Sequence, residues 1–325
     1  MLRSFAVAGI LAVGALLSQC ADAADYPDHP IRLVVPYPTG AGTDSSARIV
    51  AEALSRRLGQ QVVVDNKPGA SGTIGVDFVA KSAPDGYTLV WTSIDSITLV
   101  PALKGPKVPY RIPEDLTYIG KFCETGMALV VSAKLPVNNL QEFIAYAKAN
   151  PGKVNYGTSG VGGAPHLGAL LLAKYSDVKL THVPYKGIAP AMNDLLGGQI
   201  DFALLTPVTI VSHLGSDKIK VLGITAPTRH PMVPNAPTVR ELGFAQATVT
   251  VWYGMMAPAN TPAPVLDRLR QELEAVAQSP EVRDKLAAAG LELTPVMGAA
   301  FEKAVVDELA QWKSIIAAEG IVADD

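Results

Sequence analysis

Two glycine loops carry the residues best suited to holding a small molecule: Thr39-Gly40-Ala41-Gly42-Thr43-Asp44 and Thr158-Ser159-Gly160-Val161-Gly162-Gly163. Each sits between an expected strand and an expected helix. That context lets main-chain N–H groups converge at a helix N-terminus, where the helix dipole also attracts negative charge. A carboxylate or a phosphate suits either loop. A dinucleotide fingerprint would need glycine where Ser45 and Pro165 stand, and the Gly-Lys-Ser/Thr of a P-loop is absent. The plainer role for such glycines is a tight turn with positive φ.

Nucleophilic catalysis is the competing chemistry. Gly157-Thr158-Ser159-Gly160-Val161 approaches the Gly-x-Ser-x-Gly elbow, which would make Ser159 the nucleophile of an exported hydrolase. Val161 replaces the last glycine, however, and His166 follows with no acidic residue between them in chain order. Capping or packing its helix fits His166 better than acting as a base. Asp44 reads as the N-cap of its helix. Asp95 and Asp201 have no evident partner, and Lys186 and Arg48 are candidate ion-pairing groups. The five histidines show no HExxH or paired spacing and no cysteine pair accompanies them, so neither a metal nor a cofactor is expected.

Stepping outward to the elements, short Val- and Ile-rich runs alternate with segments of helical period, which argues an α/β protein with largely parallel sheets. Strands are expected at 31–35, 61–64, 88–92, 127–132, 180–183, 200–205, 221–224 and 249–256. Helices are expected at 45–58, 75–81, 139–149, 167–174, 190–196, 264–278, 280–289 and 299–319. The second α/β section lies between the first section and the C-terminal helices, so the spacing predicts two lobes joined by two crossings, near 122–128 and 247–254. The expected division is residues 24–126 with 249–325 as lobe 1 and 127–248 as lobe 2. Ligands of open α/β sheets sit at the carboxyl ends of the strands, so the cleft between lobes is the expected site.

The chain has 325 residues, 49% hydrophobic and 18% charged, with a net charge of −3, so it is globular and carries no broad basic field for nucleic acid. Residues 1–23 read as a signal peptide: Arg3, then an apolar run shorter than the roughly 20 residues of a membrane span, then Ala21-Asp22-Ala23. A periplasmic protein follows. Leu17-Ser18-Gln19-Cys20 also approaches a lipoprotein site, but Gln19 stands where a small residue is needed. Cleavage after Ala23 leaves Cys123 as the sole thiol, in an apolar run where it reads as a small buried hydrophobe.

Seven stretches in order resemble the Bug family, the extracytoplasmic receptors of tripartite tricarboxylate transporters. They are the loop at 36–44 followed by Arg48, VVVDNKPGASGTIG, APDGYTLVW, YGTSGVGGAPHL, VPYKGIAPAMNDLLGGQIDF, APTVRELG and WYGMMAPANTPAPV. The resemblance implies a type II periplasmic binding protein, two α/β lobes around a ligand cleft. It implies a receptor that captures a small carboxylate (a di- or tricarboxylate, an acidic amino acid or an aromatic acid) and hands it to integral-membrane permease subunits, with no chemistry on the ligand. A monomer is expected. Carried onto this chain, the first loop supplies Tyr37, Thr39, Gly40, Ala41, Thr43 and Asp44, and the second supplies Thr158, Ser159, Gly160, Gly162, Gly163 and His166. Ser93, Tyr185, Lys186, Thr206 and Pro207 are candidates for the walls that read the rest of the ligand. Gly40-Ala41-Gly42 departs from the family's Gly-Gly pair, and Asp65 stands where Glu is common. Beside the receptor reading stand the Ser159 hydrolase and a subunit that senses the ligand for a signalling system.

Overall fold

The computed structural model describes residues 26–322, so the expected signal peptide lies outside the described residues. Two mixed sheets organise the chain. The first is built from β1 (Ile31–Val35), β2 (Val62–Asn66), β3 (Thr88–Ser93), β4 (Leu116–Gly126), β10 (Thr250–Pro258) and β11 (Glu292–Met297), in the order β11-β4-β10-β3-β1-β2. The second holds β5 (Ala128–Ser132), β6 (Val154–Thr158), β7 (Leu180–Pro184), β8 (Phe202–Leu205) and β9 (Ile219–Ile224), in the order β7-β6-β8-β5-β9.

In each sheet only three strands are joined by parallel pairing. β1 pairs in parallel with β2 and β3, and β6 with β7 and β8. The remaining pairings are antiparallel, which corrects the expectation of largely parallel sheets. The cause is the double crossing: β4 carries the chain out of the first sheet and β10 brings it back, so the two must run in opposite senses. Three strands escaped the sequence reading. β4 runs on into β5 with only Met127 between them, β6 leads directly into the second glycine loop, and β11 is a half-exposed edge interrupted by Pro295.

The helices α1 (Gly42–Leu58), α2 (Thr73–Ala80), α3 (Val100–Lys104), α8 (Ala263–Ala277), α9 (Pro280–Ala288) and α10 (Gly298–Glu319) accompany the first sheet. With the second go α4 (Leu140–Ala149), α5 (Ala164–Tyr175), α6 (Ile188–Gly197) and α7 (Pro207–Ile210). Asn139 caps α4, its side chain accepting from the Glu142 N–H. Asp44 does not cap α1: that helix begins earlier, behind Ala41, and has no side-chain cap. Cys123 is fully buried on β4, where burial pushes its thiol pKa up.

The chain crosses from the first sheet to the second at Met127, between β4 and β5, and crosses back at Val249, before β10. One buried residue, Thr225, ties the two crossings side by side. Its hydroxyl accepts from the Met127 N–H at 2.9 Å and donates to the Val249 carbonyl at 2.5 Å. Its N–H donates to the Met127 carbonyl, and its carbonyl accepts from the Val249 N–H. Replacing the hydroxyl by a methyl keeps the volume and strands a buried N–H and a buried carbonyl. Thr225→Val is therefore expected to lower stability by about 1–3 kcal/mol in urea unfolding. A variant as stable as the parent would show that the hydroxyl does not join the crossings.

Candidate functional site

A cleft of about 540 Å³ opens where the parallel strands of both sheets end. Its walls are the segments that follow β1, β2, β3, β6, β7 and β8, together with Met127 and Val251 beside the crossings. The strand ends of the two sheets face one another, as the rule for open α/β sheets requires.

The N-terminus of α1 forms one wall, through Ala41, Gly42 and Thr43. The first N–H groups of a helix have no intrahelical acceptor. Those of Gly42, Thr43 and Asp44 find none elsewhere among the described residues. Asp44, the nearest carboxylate, is turned back into its own loop. It accepts from the Gly40 N–H at 2.9 Å, from Asn66 Nδ2 at 2.9 Å and from Arg48 at 2.9–3.1 Å. Burial pushes its pKa up, but these donors outweigh burial and hold it below the usual carboxylate value. Gly42 packs so closely that a Cβ there would lie 2.6 Å from the Tyr253 hydroxyl and 3.7 Å from Thr206 Oγ1, on the opposite wall.

The N-terminus of α5 is different, because its donors are taken. The Ala164 N–H donates to Asp95 Oδ1 at 2.8 Å, Pro165 has no N–H, and the His166 N–H turns to the Gly163 carbonyl. Asp95 belongs to the segment after β3, so a carboxylate of one lobe caps a helix of the other. Nearby, Ser71 Oγ donates to the Val161 carbonyl at 3.1 Å, a second bond between lobes. The loop behind Ser71 is strained, since Ala70 and Ser71 both hold positive φ.

His166 is buried away from the cleft lining. Its Nδ1 accepts from the Gly162 N–H at 3.1 Å, its Nε2 is buried without a partner, and its ring stacks on His182 at 4.2 Å. Neither nitrogen engages Ser159. His182 Nε2 instead meets Thr158 Oγ1 at 2.7 Å. Burial, and the neighbouring His182, lower the His166 pKa to about 4.

Of the residues singled out from sequence, the structure brings Tyr37, Ala41, Thr43, Ser93, Ser159, Gly160, Tyr185, Lys186 and Thr206 to the cleft lining. Thr39, Gly40, Asp44, Thr158, Gly162, Gly163, His166 and Pro207 do not line it; most of them shape the loops behind it. Tyr37 and Ser93 form a buried pair, with Ser93 Oγ donating to the Tyr37 hydroxyl at 3.0 Å. Tyr185 is anchored by donating to Asp194 at 2.7 Å, and Thr206 by Thr209. Sequence reasoning missed Ser71, Asp95, Lys104 and Tyr253 as lining residues. The Pro68-Gly69-Ala70-Ser71-Gly72 turn was a visible signal for the first, whereas nothing local marks Tyr253 on its strand.

Two α/β lobes, two tied crossings and a cleft at the strand ends define a type II periplasmic binding protein. The chain belongs to the tripartite tricarboxylate transporter receptor family, whose model matches residues 46–321. It is 34% identical to protein BugT of Bordetella pertussis over 98% of both chains. It superimposes on the periplasmic binding protein BugD with a TM-score of 0.86 at 34% identity, covering 91% of this chain and 99% of that one. On MatC from Rhodopseudomonas palustris with bound malate the TM-score is 0.82 at 30% identity, covering 90% of this chain and all of that one. Members of the family are periplasmic solute-binding receptors, not enzymes.

The histidine makes a pH prediction. Folding lowers the His166 pKa from 6.5 to about 4, so its contribution to stability is full above 6.5 and is lost as pH falls toward 4. In His166→Gln, the loss of unfolding free energy between those pH values should be smaller than in the parent by on the order of 2 kcal/mol. Identical pH profiles would mean that His166 is not held neutral.

Proposed function

We propose that this protein captures a small carboxylate in the inter-lobe cleft and delivers it to the membrane subunits of a tripartite tricarboxylate-type permease. The observation that carries this reading is the uncapped N-terminus of α1, whose N–H groups meet the cleft with no acceptor of the protein's own. Buried donors without partners cost about 1–3 kcal/mol each, so a closed cleft favours an anion there. The malate held by MatC is a carboxylate of this kind. Ser159, Gly160 and Thr206 bring polar atoms from the other lobe, while Met127, Leu204, Val251 and Tyr253 supply apolar contact. Lys104 and Lys186 also line the cleft and favour an anionic ligand.

In this reading lobe 1 is residues 24–126 with 249–325, lobe 2 is 127–248, and the ligand shifts an open-to-closed equilibrium about the Thr225-tied crossings. The signal peptide directs export to the periplasm, where the protein works as a monomer.

Thermal unfolding against mono-, di- and tricarboxylates, acidic amino acids and aromatic acids tests the reading. A true ligand at about 100 times its dissociation constant should add roughly 2.7 kcal/mol. Gly42→Val, which places a branched side chain against Tyr253, should fold and lose that stabilisation. No stabilisation by any acid, or full stabilisation of Gly42→Val, would contradict the proposal.

A further inference from the structure

The two helix ends that meet the cleft are not equivalent. The α1 end is open, whereas the α5 end is already filled by the Asp95 carboxylate. Asp95 is 6% exposed, lines the cleft and forms no salt bridge among the described residues. Oδ1 takes the Ala164 N–H, and Oδ2 has no hydrogen-bond donor among the described residues. Its close approach depends on Gly163, where a Cβ would stand 2.9 Å from Oδ2. Burial raises the Asp95 pKa to about 6, against the Ala164 bond, so at neutral pH the group is mainly ionised.

A second ligand carboxylate placed beside it would meet like charge in a poorly solvated site. A ligand hydroxyl or ammonium would instead supply the donor that Oδ2 lacks, and charge-assisted bonds of this kind are strong. We propose that Asp95 determines specificity: it bars a ligand anion from the α5 end of the cleft and selects a carboxylate that carries a hydroxyl or ammonium group. The inference rests on the carboxylate reading of the cleft and says which acids that cleft prefers. The ligand carboxylate is confined to the α1 end, with the donor-bearing carbon turned toward Asp95.

Calorimetric titration with matched sets of acids tests it: succinate, malate and aspartate; glutarate, 2-hydroxyglutarate and glutamate; propionate, lactate and alanine; phenylacetate, mandelate and phenylglycine. In the parent protein, a hydroxyl- or amino-bearing acid should bind about tenfold or more tightly than its unsubstituted counterpart. Asp95→Asn keeps an acceptor for Ala164 and removes the charge. It should lose the preference for the ammonium-bearing acid and tolerate the unsubstituted one as well or better. Asp95→Ala should reduce the ratio to about threefold or less. A residue that only holds the lobes together would weaken every acid alike and leave the ratios unchanged, and that result overturns the inference. So does a parent protein that binds the unsubstituted acid as tightly as its hydroxyl and amino counterparts, which leaves the carboxylate reading standing. Binding of none of the acids overturns the carboxylate reading and this inference together. Melting temperatures check that the variants fold; should Asp95→Ala fail to, the near-isosteric Asp95→Asn still decides.

Discussion

A helix must end, and the N–H groups of its first turn need acceptors; the cleft is organised around one end where the described residues supply none. Asp44 is close enough in sequence to have filled that role. Gly40, Asn66 and Arg48 hold its carboxylate in the loop instead, fixing the chain between β1 and α1 while leaving the donors of Gly42 and Thr43 bare. The same cluster explains why the loop can be rich in glycine without losing its shape. Its rigidity comes from a buried ionised side chain with several donors, and such fully satisfied groups are costly to disturb.

The opposite lobe meets this end with a helix whose donors are spent. Asp95 reaches across to Ala164, and Ser71 reaches across to Val161, so the lobes touch through polar bonds on the ligand side as well as through the crossings on the other. Between the lobes the contact depends on Gly163 against Asp95, and within the first lobe Gly42 lies as closely against Tyr253. Both places lack room for a Cβ, which gives these glycines a reason beyond turn geometry. Under the proposed function binding and closing are linked, because an acceptor for α1 would lie in the space that closure removes from water.

Much of this was legible in the chain. The period-2 and period-3.6 patterns located most helices to within a few residues. What failed did so for physical reasons. β4 and β5 follow one another with only Met127 between them, and Lys121 and Glu124 of β4 break the apolar alternation that would have marked it as a separate strand. Asp44 has the residue type and place of an N-cap, yet local pattern cannot reveal that Arg48 and Asn66 compete for it. Asp95 read as a carboxylate without a partner because its partner is a main-chain N–H on the other lobe, invisible to any local spacing. Conversely, context alone makes both glycine loops candidate anion sites, and only the contacts distinguish the open end from the filled one.

In the proposed function a ligand carboxylate is held by the main chain at the start of α1. Amide nitrogen and proton chemical shifts, recorded on the ¹⁵N-labelled protein while the tightest-binding acid is titrated in, test this at the atoms concerned. Large downfield proton shifts are expected at Gly42 and Thr43, with the Ala164 amide keeping the position set by its bond to Asp95. Unmoved Gly42 and Thr43 resonances in a saturated complex, or a dominant shift at Ala164, would contradict it.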